Sequence, residues 1–386
     1  MVMVLQTVTL SARAAKRLNE GVLWISEQDI VGRKPKIPCI ARVFDRQSRV
    51  IAHAFLSPGS RYYLRIITRH KAEIDRRFWA DQIRKALNRR QPLEKQTDTY
   101  RVVHSESDGM PSIIIDRYND IVSLQITSQG AQTVRDDIVA AIEDVLEPRA
   151  IIERSSRAMS RSEGIAGKDK ILCGDSSIAM VREKDMRFEL DVLSGQKTGA
   201  YLDYRSIRMK ACELSRGKTL DAFCYQGWLA CQIAAKAKSV VAVDCSKSAL
   251  EAARRNAEIN SQTNIEFIKA DVFNYIKNCK EQFDFVHMDP PAMAKNRAET
   301  AQAISGYRKL FNGGIKLLKQ GGILMISSCS HKITQRILEE TSLECLKKSG
   351  RKGAIIWRGK QDIDHPVLDG LSESLYLKAL AIKFDD

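Results

Sequence analysis

Four aspartates end apolar stretches in the second half of the chain. Asp221 closes Lys218-Thr219-Leu220, Asp244 closes Val240-Val241-Ala242-Val243, Asp271 follows Ile265–Lys269, and Asp289 follows Phe285-Val286-His287-Met288. Short apolar runs bounded by turn residues read as buried strands. The stretch Leu220–Trp228 reads as a strand, a loop with a single glycine (Gly227) and a helix start. Such a turn offers backbone N–H groups and a carboxylate to a ligand, although it is not a GxGxxG dinucleotide motif. An acid at the end of the next strand, here Asp244, commonly accepts hydrogen bonds from ribose hydroxyls. Ser246 then suits the N-cap of the following helix. Asp271, next to Val272, suits an adenine amino group. Taken singly, each acid is equally at home as a turn residue or helix cap. Taken together, four acids at four strand ends favour a nucleoside cofactor with a positive centre, and S-adenosylmethionine is the expected one.

Asp289 also opens Asp289-Pro290-Pro291. Two prolines fix the backbone and remove donors, which leaves a rigid turn facing the ligand. Nucleic-acid methyltransferases often place such a turn beside the base they modify. Cys329 ends a further apolar run, Gly322–Ser328. Carbon 5 of cytosine is too weak a nucleophile to take a methyl group directly. A thiolate added at carbon 6 makes carbon 5 enamine-like, so Cys329 is read as a nucleophile, the alternative being a buried structural thiol. The nine cysteines contain no CxxC pair, and there are only six histidines. Neither a metal site nor a disulfide framework is expected, and reduced thiols fit a cytoplasmic protein.

The elements that must position these residues follow from pattern. Between residues 218 and 328, strands alternate with helices near 228–236, 247–260 and 301–319. That alternation predicts a doubly wound α/β domain, with Ala354–Trp357 and Leu375–Phe384 as a final strand pair. Residues 100–188 predict a small α+β unit, with an amphipathic helix over Gln129–Leu146 and a loop over Ser155–Gly174. Residues 1–75 predict a small β-rich module. The expected division is 1–75, then a connecting helix and central domain over 76–188, then 189–386.

Composition is ordinary for a folded protein, with 44% hydrophobic and 28% charged residues among 386. That excludes disordered and fibrous classes. No apolar run of about 18 residues appears, so no spanning helix and no membrane partner are expected; nor does the start read as a signal peptide. The net charge is +15. Residues 1–95 hold 20 Lys and Arg against 8 Asp and Glu, and so carry most of it. A polyanion is the expected partner, because neutralising phosphates releases counterions; a basic surface kept for solubility is the alternative.

With these residues in view, the chain resembles the PUA-domain class I methyltransferases that form 5-methylcytosine in large-subunit ribosomal RNA. The resemblance rests on Ile115-Asp116-Arg117-Tyr118, Ile152-Glu153-Arg154, Gly195–Gly199 through Tyr201–Arg205, Asp221–Tyr225, Met288–Pro291, Ser328-Cys329-Ser330 and Asp364-His365-Pro366-Val367. It implies an N-terminal PUA domain, a central α+β domain and a seven-stranded Rossmann-like methyltransferase domain. It implies Cys329 as nucleophile and Asp289 as the contact to the cytosine ring and the methyl-donor region. It also implies a cofactor site of Asp221, Phe223, Tyr225, Gly227, Asp244 and Asp271, with Lys197, Thr198 and Arg205 in the segment placed over the active site. Ribosomal RNA is the implied partner and a homodimer an allowed assembly.

Departures are local. Trp228 stands where the family usually has a second glycine, either narrowing the pocket or packing into the sheet. Ala292-Met293 replace a usual Lys-Phe, with Lys295 as the nearest substitute cation. No second cysteine adjoins Asp-Pro-Pro, so the acceptor of the carbon 5 proton is unassigned. His287 and His331 read as structural, and Asp364-His365 as an orienting pair. Two other functions fit the departures: methylation of another RNA base, which needs no thiol, and an RNA-binding assembly protein with weakened catalysis.

Overall fold

The computed structural model describes residues 6–155, 163–165, 167–294, 298–371 and 374–385. The chain divides into two compact units, and the division is not a single cut. The first holds Met1–Lys184, Leu190–Tyr201 and Ile363–Ser372; the second holds Asp185–Glu189, Leu202–Asp362 and Glu373–Asp386.

The first unit opens with β1 (Gln6–Leu10), α1 (Ala12–Asn19), β2 (Trp24–Ile25), β3 (Ile30–Val31), β4 (Cys39–Phe44), β5 (Val50–Leu56) and β6 (Leu64–Thr68). These strands form one sheet in the order β2-β6-β5-β4-β1-β3. Ser11 caps α1 through Ala14 N, and Leu18 then drops into the core with Val8, Ala41 and Val43. Most basic residues of this segment lie outside it: Arg13, Arg33, Arg42, Arg46, Arg61 and Arg69 are exposed, whereas Arg65 is buried and paired with Glu163. Next, α2 (Arg76–Arg90) starts at an Asp75 cap and buries Trp79, Ile83 and Ala86 on one face. A second sheet runs β11-β10-β9-β8-β7, from β7 (Thr99–His104), β8 (Ile113–Tyr118), β9 (Ile121–Ile126), β10 (Ala150–Glu153) and β11 (Lys170–Cys173). Helices α3 (Gln129–Gln132) and α4 (Arg135–Leu146) divide the single helix expected there. β11 corrects the loop expected over Ser155–Gly174. It is a four-residue edge strand with a half-exposed, non-alternating pattern, so no periodicity announces it.

The second unit carries the alternating pattern. Its elements are α5 (Arg205–Leu214), β14 (Lys218–Ala222), α6 (Trp228–Ala234), β15 (Ser239–Asp244), α7 (Lys247–Ile259), β16 (Ile265–Lys269), α8 (Val272–Asn278), β17 (Phe283–Met288), α9 (Thr300–Leu317), β18 (Leu318–Ser328), α10 (Gln335–Ser349), β19 (Gly353–Lys360) and β20 (Lys378–Phe384); strands Ile178–Glu183 and Met186–Asp191 precede them in the chain as β12 and β13. The seven-stranded sheet runs β16-β15-β14-β17-β18-β20-β19. Its first five strands are parallel, and β20 runs antiparallel to both β18 and β19. This is the doubly wound fold the sequence predicts. Leu220, Val241, Val286, Leu324 and Phe311 are in its core. β14 has β15 on one side and β17 on the other, so the winding reverses there. Open α/β sheets bind ligands at the strands' carboxyl ends beside such a reversal.

Candidate active site

The loop after β14 is shaped by three residues in the left-handed region: Phe223 (φ 66°), Tyr225 (φ 47°) and Gly227 (φ 75°). Phe223 N and Cys224 N both donate to Val243 O, at 2.9 and 3.1 Å, which ties the loop to β15. Gly227 is needed for a second reason: a Cβ built on it would stand 2.8 Å from Ala253 Cβ, so the glycine lets α7 come close. Asn256 of α7, fully buried, donates to Gln226 O at 3.1 Å.

Asp244 is held by this loop. Its Oδ2 accepts from Tyr225 N at 3.0 Å and its Oδ1 from Ser246 N at 2.8 Å. Each oxygen keeps lone-pair capacity for a diol. Ser246 is the N-cap of α7, its Oγ accepting from Ala249 N. Asp271 likewise caps α8 through Asn274 N and is exposed, and Val272 beside it is buried. The cap contacts leave acceptor capacity at both strand ends. Trp228 does pack inward: it stacks on Phe188 at 4.6 Å, with the Arg208 guanidinium 5.3 Å from its ring.

Asp221 is 1% exposed. Its Oδ1 meets His287 Nδ1 at 2.8 Å, and its Oδ2, equally buried, has no hydrogen-bond partner in the protein. His287 Nε2 meets the Tyr204 hydroxyl at 2.7 Å. Ser327 and Asp289 lie beside that hydroxyl; burial and the two carboxylates Asp289 and Asp221 push the Tyr204 phenol well up. Ser327 Oγ donates to Asp289 Oδ1. A polar chain thus runs Asp221–His287–Tyr204–Ser327–Asp289 along the sheet's carboxyl edge. Tyr204 lies in a motif on which the resemblance rests and Ser327 in the run before Cys329, but neither is given a role by the sequence, because their partners are distant in the chain.

Cys329 directly follows β18 and is partly exposed. The loop after Asp-Pro-Pro is pinned to it, since Met293 N and Ala294 N donate to Ser330 Oγ at 3.0 and 3.3 Å. Met293 also rests over Gly306 of α9. Lys295 lies outside the described residues. Other thiols are of a different kind: burial pushes Cys39, Cys224 and Cys345 up, and Cys231 up to about 12.

The segment before α5 is divided. Lys197 and Thr198 belong to the first unit and Arg205 to the second. Lys197 is exposed, its ammonium 4.7 Å from the Tyr201 ring centre. Thr198 is buried and donates to Asp116, which also takes both arms of Arg101. Arg205 is buried, 3.4 Å from Asp362. Asp364 and His365 pair at 2.8 Å within the first unit, where Asp364 Oδ2 accepts from Arg101 N. Among the described residues no metal-ligating cluster occurs and no helix is long and apolar enough to cross a membrane.

The residues of the second unit fit S-adenosylmethionine. Asp221 presents a buried oxygen with no partner to a cationic or donor group, Asp244 presents two anchored acceptors, and Asp271 an exposed carboxylate. Fold and site define an S-adenosylmethionine-dependent methyltransferase with an N-terminal PUA-like domain. The family description "Methyltransferase domain" matches residues 214–369 and "PUA-like domain" matches residues 8–69. The chain is 32% identical, over 98% of its length and 99% of the relative's, to ribosomal RNA large subunit methyltransferase I of Tolumonas auensis. It is 32% identical to the protein of that name from Yersinia pseudotuberculosis, with 88% and 89% covered. The chain belongs to the ribosomal RNA large subunit methyltransferase I family. Among solved structures, a SAM-dependent methyltransferase from Streptococcus mutans superposes with a TM-score of 0.78 at 20% identity, covering 98% of this chain and all of that one. A methyltransferase complexed with SAH superposes at 0.80, also at 20% identity, covering 99% and 100%.

Proposed function

We propose that the chain methylates carbon 5 of a cytosine in large-subunit ribosomal RNA, in the cytoplasm, through a covalent adduct at Cys329. The carrying observation is that Cys329 stands two residues from Ser327, whose hydroxyl is bonded to Asp289. The thiol and the Asp-Pro-Pro carboxylate therefore share one rim, the carboxyl edge of β17 and β18. S-adenosylmethionine, when bound, supplies an electrophilic methyl group; Asp221, Phe223, Tyr225, Gly227, Asp244, Asp271 and Val272 would hold it.

The chain's own residues do the rest. Cys329, as thiolate, forms a bond to carbon 6 of the ring, and the electron pair displaced moves toward carbon 5. Asp289 orients the ring from the Asp-Pro-Pro turn, its carboxylate fixed by Ser327. Once carbon 5 carries the methyl group, its proton passes to a water molecule. The pair of the C–H bond then re-forms the ring double bond, the S–C bond breaks, and the thiolate is restored. Lys197, Thr198 and Arg205 are assigned to cofactor or substrate contact: within its own unit Lys197 is exposed and Thr198 is held by Asp116, and in the other unit Arg205 is held by Asp362.

The basic N-terminal segment, 1–75, grips RNA phosphate through its exposed arginines; 76–188 and 189–386 serve as the central and methyl-transferring segments. Because residues 1–184 belong to one compact unit, its role is tested by substitution rather than deletion. Reversing Arg13, Arg42 and Arg46 to Glu is expected to weaken RNA binding and to lower its salt slope. The decisive experiment for the substrate is mass-spectrometric mapping of ribosomal RNA from cells with and without this protein. A 5-methylcytosine in the large-subunit RNA that disappears with the protein supports the reading. Loss of a methyl group at another base or in another RNA would overturn it.

A further inference from the structure

Lys378 is a buried cation with an unusual set of neighbours. It is the first residue of β20 and pairs in register with Ser328, the residue before Cys329. It is 5% exposed. Two of its protons go to backbone carbonyls, Ser330 O and Tyr376 O, each at 2.7 Å. Among the described residues no carboxylate pairs with it, and the ionisable group acting on it is Cys329. A charged ammonium in such a place is costly unless an anion compensates it. Tyr307 of α9 borders the same residues. Its buried hydroxyl lies beside Ser328 and Ser330 and feels the charge of Cys329.

We propose that Lys378 is the counter-ion of the Cys329 thiolate, with the Tyr307 hydroxyl as its neutral donor. The thiol proton goes to solvent, and Lys378 keeps its own three protons throughout. When the adduct breaks down, the same ammonium receives the returning negative charge on sulfur, so it favours both attack and release. Burial pulls the Lys378 pKa down to about 8, and the thiolate opposes that pull. At neutral pH a lysine with that pKa is still mostly charged, and an anion beside it favours that form. Of the other titratable groups near Cys329, Asp289 at the end of β17 opposes its ionisation. Burial holds Tyr307 neutral, and His331 is exposed on the same loop. A lysine acting through the cysteine in this way is a positioning residue.

This deepens the reading of Cys329 as nucleophile, yet its test needs neither RNA nor cofactor. Iodoacetamide reacts with the thiolate and releases iodide, so the rate at Cys329, read by peptide mass spectrometry against pH, reports ionisation of that one sulfur. The exposed Cys245 serves as reference in the same digests. In the unaltered chain the midpoint at Cys329 is expected below the usual thiol value of about 8.5. Lys378→Met is expected to raise it by about one unit, which is a roughly tenfold slower reaction at neutral pH. Lys378→Arg is expected to keep it low. A midpoint at or above 8.5 in the unaltered chain would overturn the proposal by itself, whether or not the variants fold. So would an unchanged midpoint in Lys378→Met with Cys245 reacting as before. If instead alkylation behaves as expected but Cys329 traps no RNA, the ion pair stands and the nucleophile reading fails.

Discussion

His287 Nδ1 lies 2.8 Å from Asp221 Oδ1, with both side chains almost wholly buried. The other ring nitrogen is taken by Tyr204, so the imidazole is fixed at both ends and holds Asp221 with its second oxygen free of protein partners. Hydrogen bonds to a charged group contribute about 1.5–3 kcal/mol. His287→Leu is therefore expected to lower stability by about that amount and to weaken S-adenosylmethionine binding roughly tenfold or more. Tyr204→Phe removes the hydroxyl's contacts to His287 and Ser327 and should cost about 1–2 kcal/mol, since both partners are uncharged side chains. Thermal unfolding and titration calorimetry check both; cofactor affinity equal to that of the unaltered chain in His287→Leu would contradict the role.

Asp244 accepts two backbone N–H groups with its two oxygens. Asp244→Asn leaves one of those donors facing an amide NH2, so even this conservative change should loosen the loop. We expect cofactor affinity to fall about ten- to a hundredfold, since each tenfold step is 1.4 kcal/mol. RNA affinity measured without cofactor should stay within twofold. Calorimetry and filter binding separate the two.

Gly227 and Gly350 have nearly the same backbone, φ 75° and 73°, but only Gly227 has a neighbour where a Cβ would go. Both alanine variants carry the left-handed penalty of about 1–2 kcal/mol. Gly227→Ala adds a clash with Ala253, so it should be the less stable by a further 1 kcal/mol or more. Equal unfolding midpoints in denaturant would show that α7 can move away.

Burial and the neighbouring Arg101 push the His104 pKa well down in the first unit, and burial does the same, more mildly, for His53. The unfolded chain binds protons at these rings near pH 6.5, where the folded chain does not. Stability should therefore be full above that value and fall as pH drops from about 6.5 toward 5, before carboxylates titrate. His104→Gln removes one such proton, so its melting temperature should fall less steeply over that window, whatever its starting level. An unchanged slope would contradict the assignment.

The methyltransferase sheet was legible because β14, β15 and β17 are largely buried on both faces and read as apolar runs closed by acids, with the half-exposed edge strand β16 following the same spacing. The same logic places Asp221, Asp244, Asp271 and Asp289 at the ends of these strands. What stayed hidden depends on pairing across long stretches of chain. Tyr204 reaches His287 across 83 positions and Lys378 reaches Ser330 across 48. His287, read from the sequence as structural, pairs with the buried carboxylate of Asp221. The one visible hint for Lys378 was a lysine opening an otherwise apolar strand, Lys378-Ala379-Leu380-Ala381-Ile382. Trp228 could be read either way until its stacking on Phe188 appeared.

The central claim is that Cys329 forms a bond to the base. RNA containing 5-fluorocytosine tests it directly, because fluorine cannot leave as a cation and the adduct stays closed. With S-adenosylmethionine, the unaltered chain should form a denaturant-stable RNA–protein species whose cross-linked peptide contains Cys329, and Cys329→Ala should form none. A Cys329→Ala chain that still methylates carbon 5, or an adduct at another residue, would contradict the account.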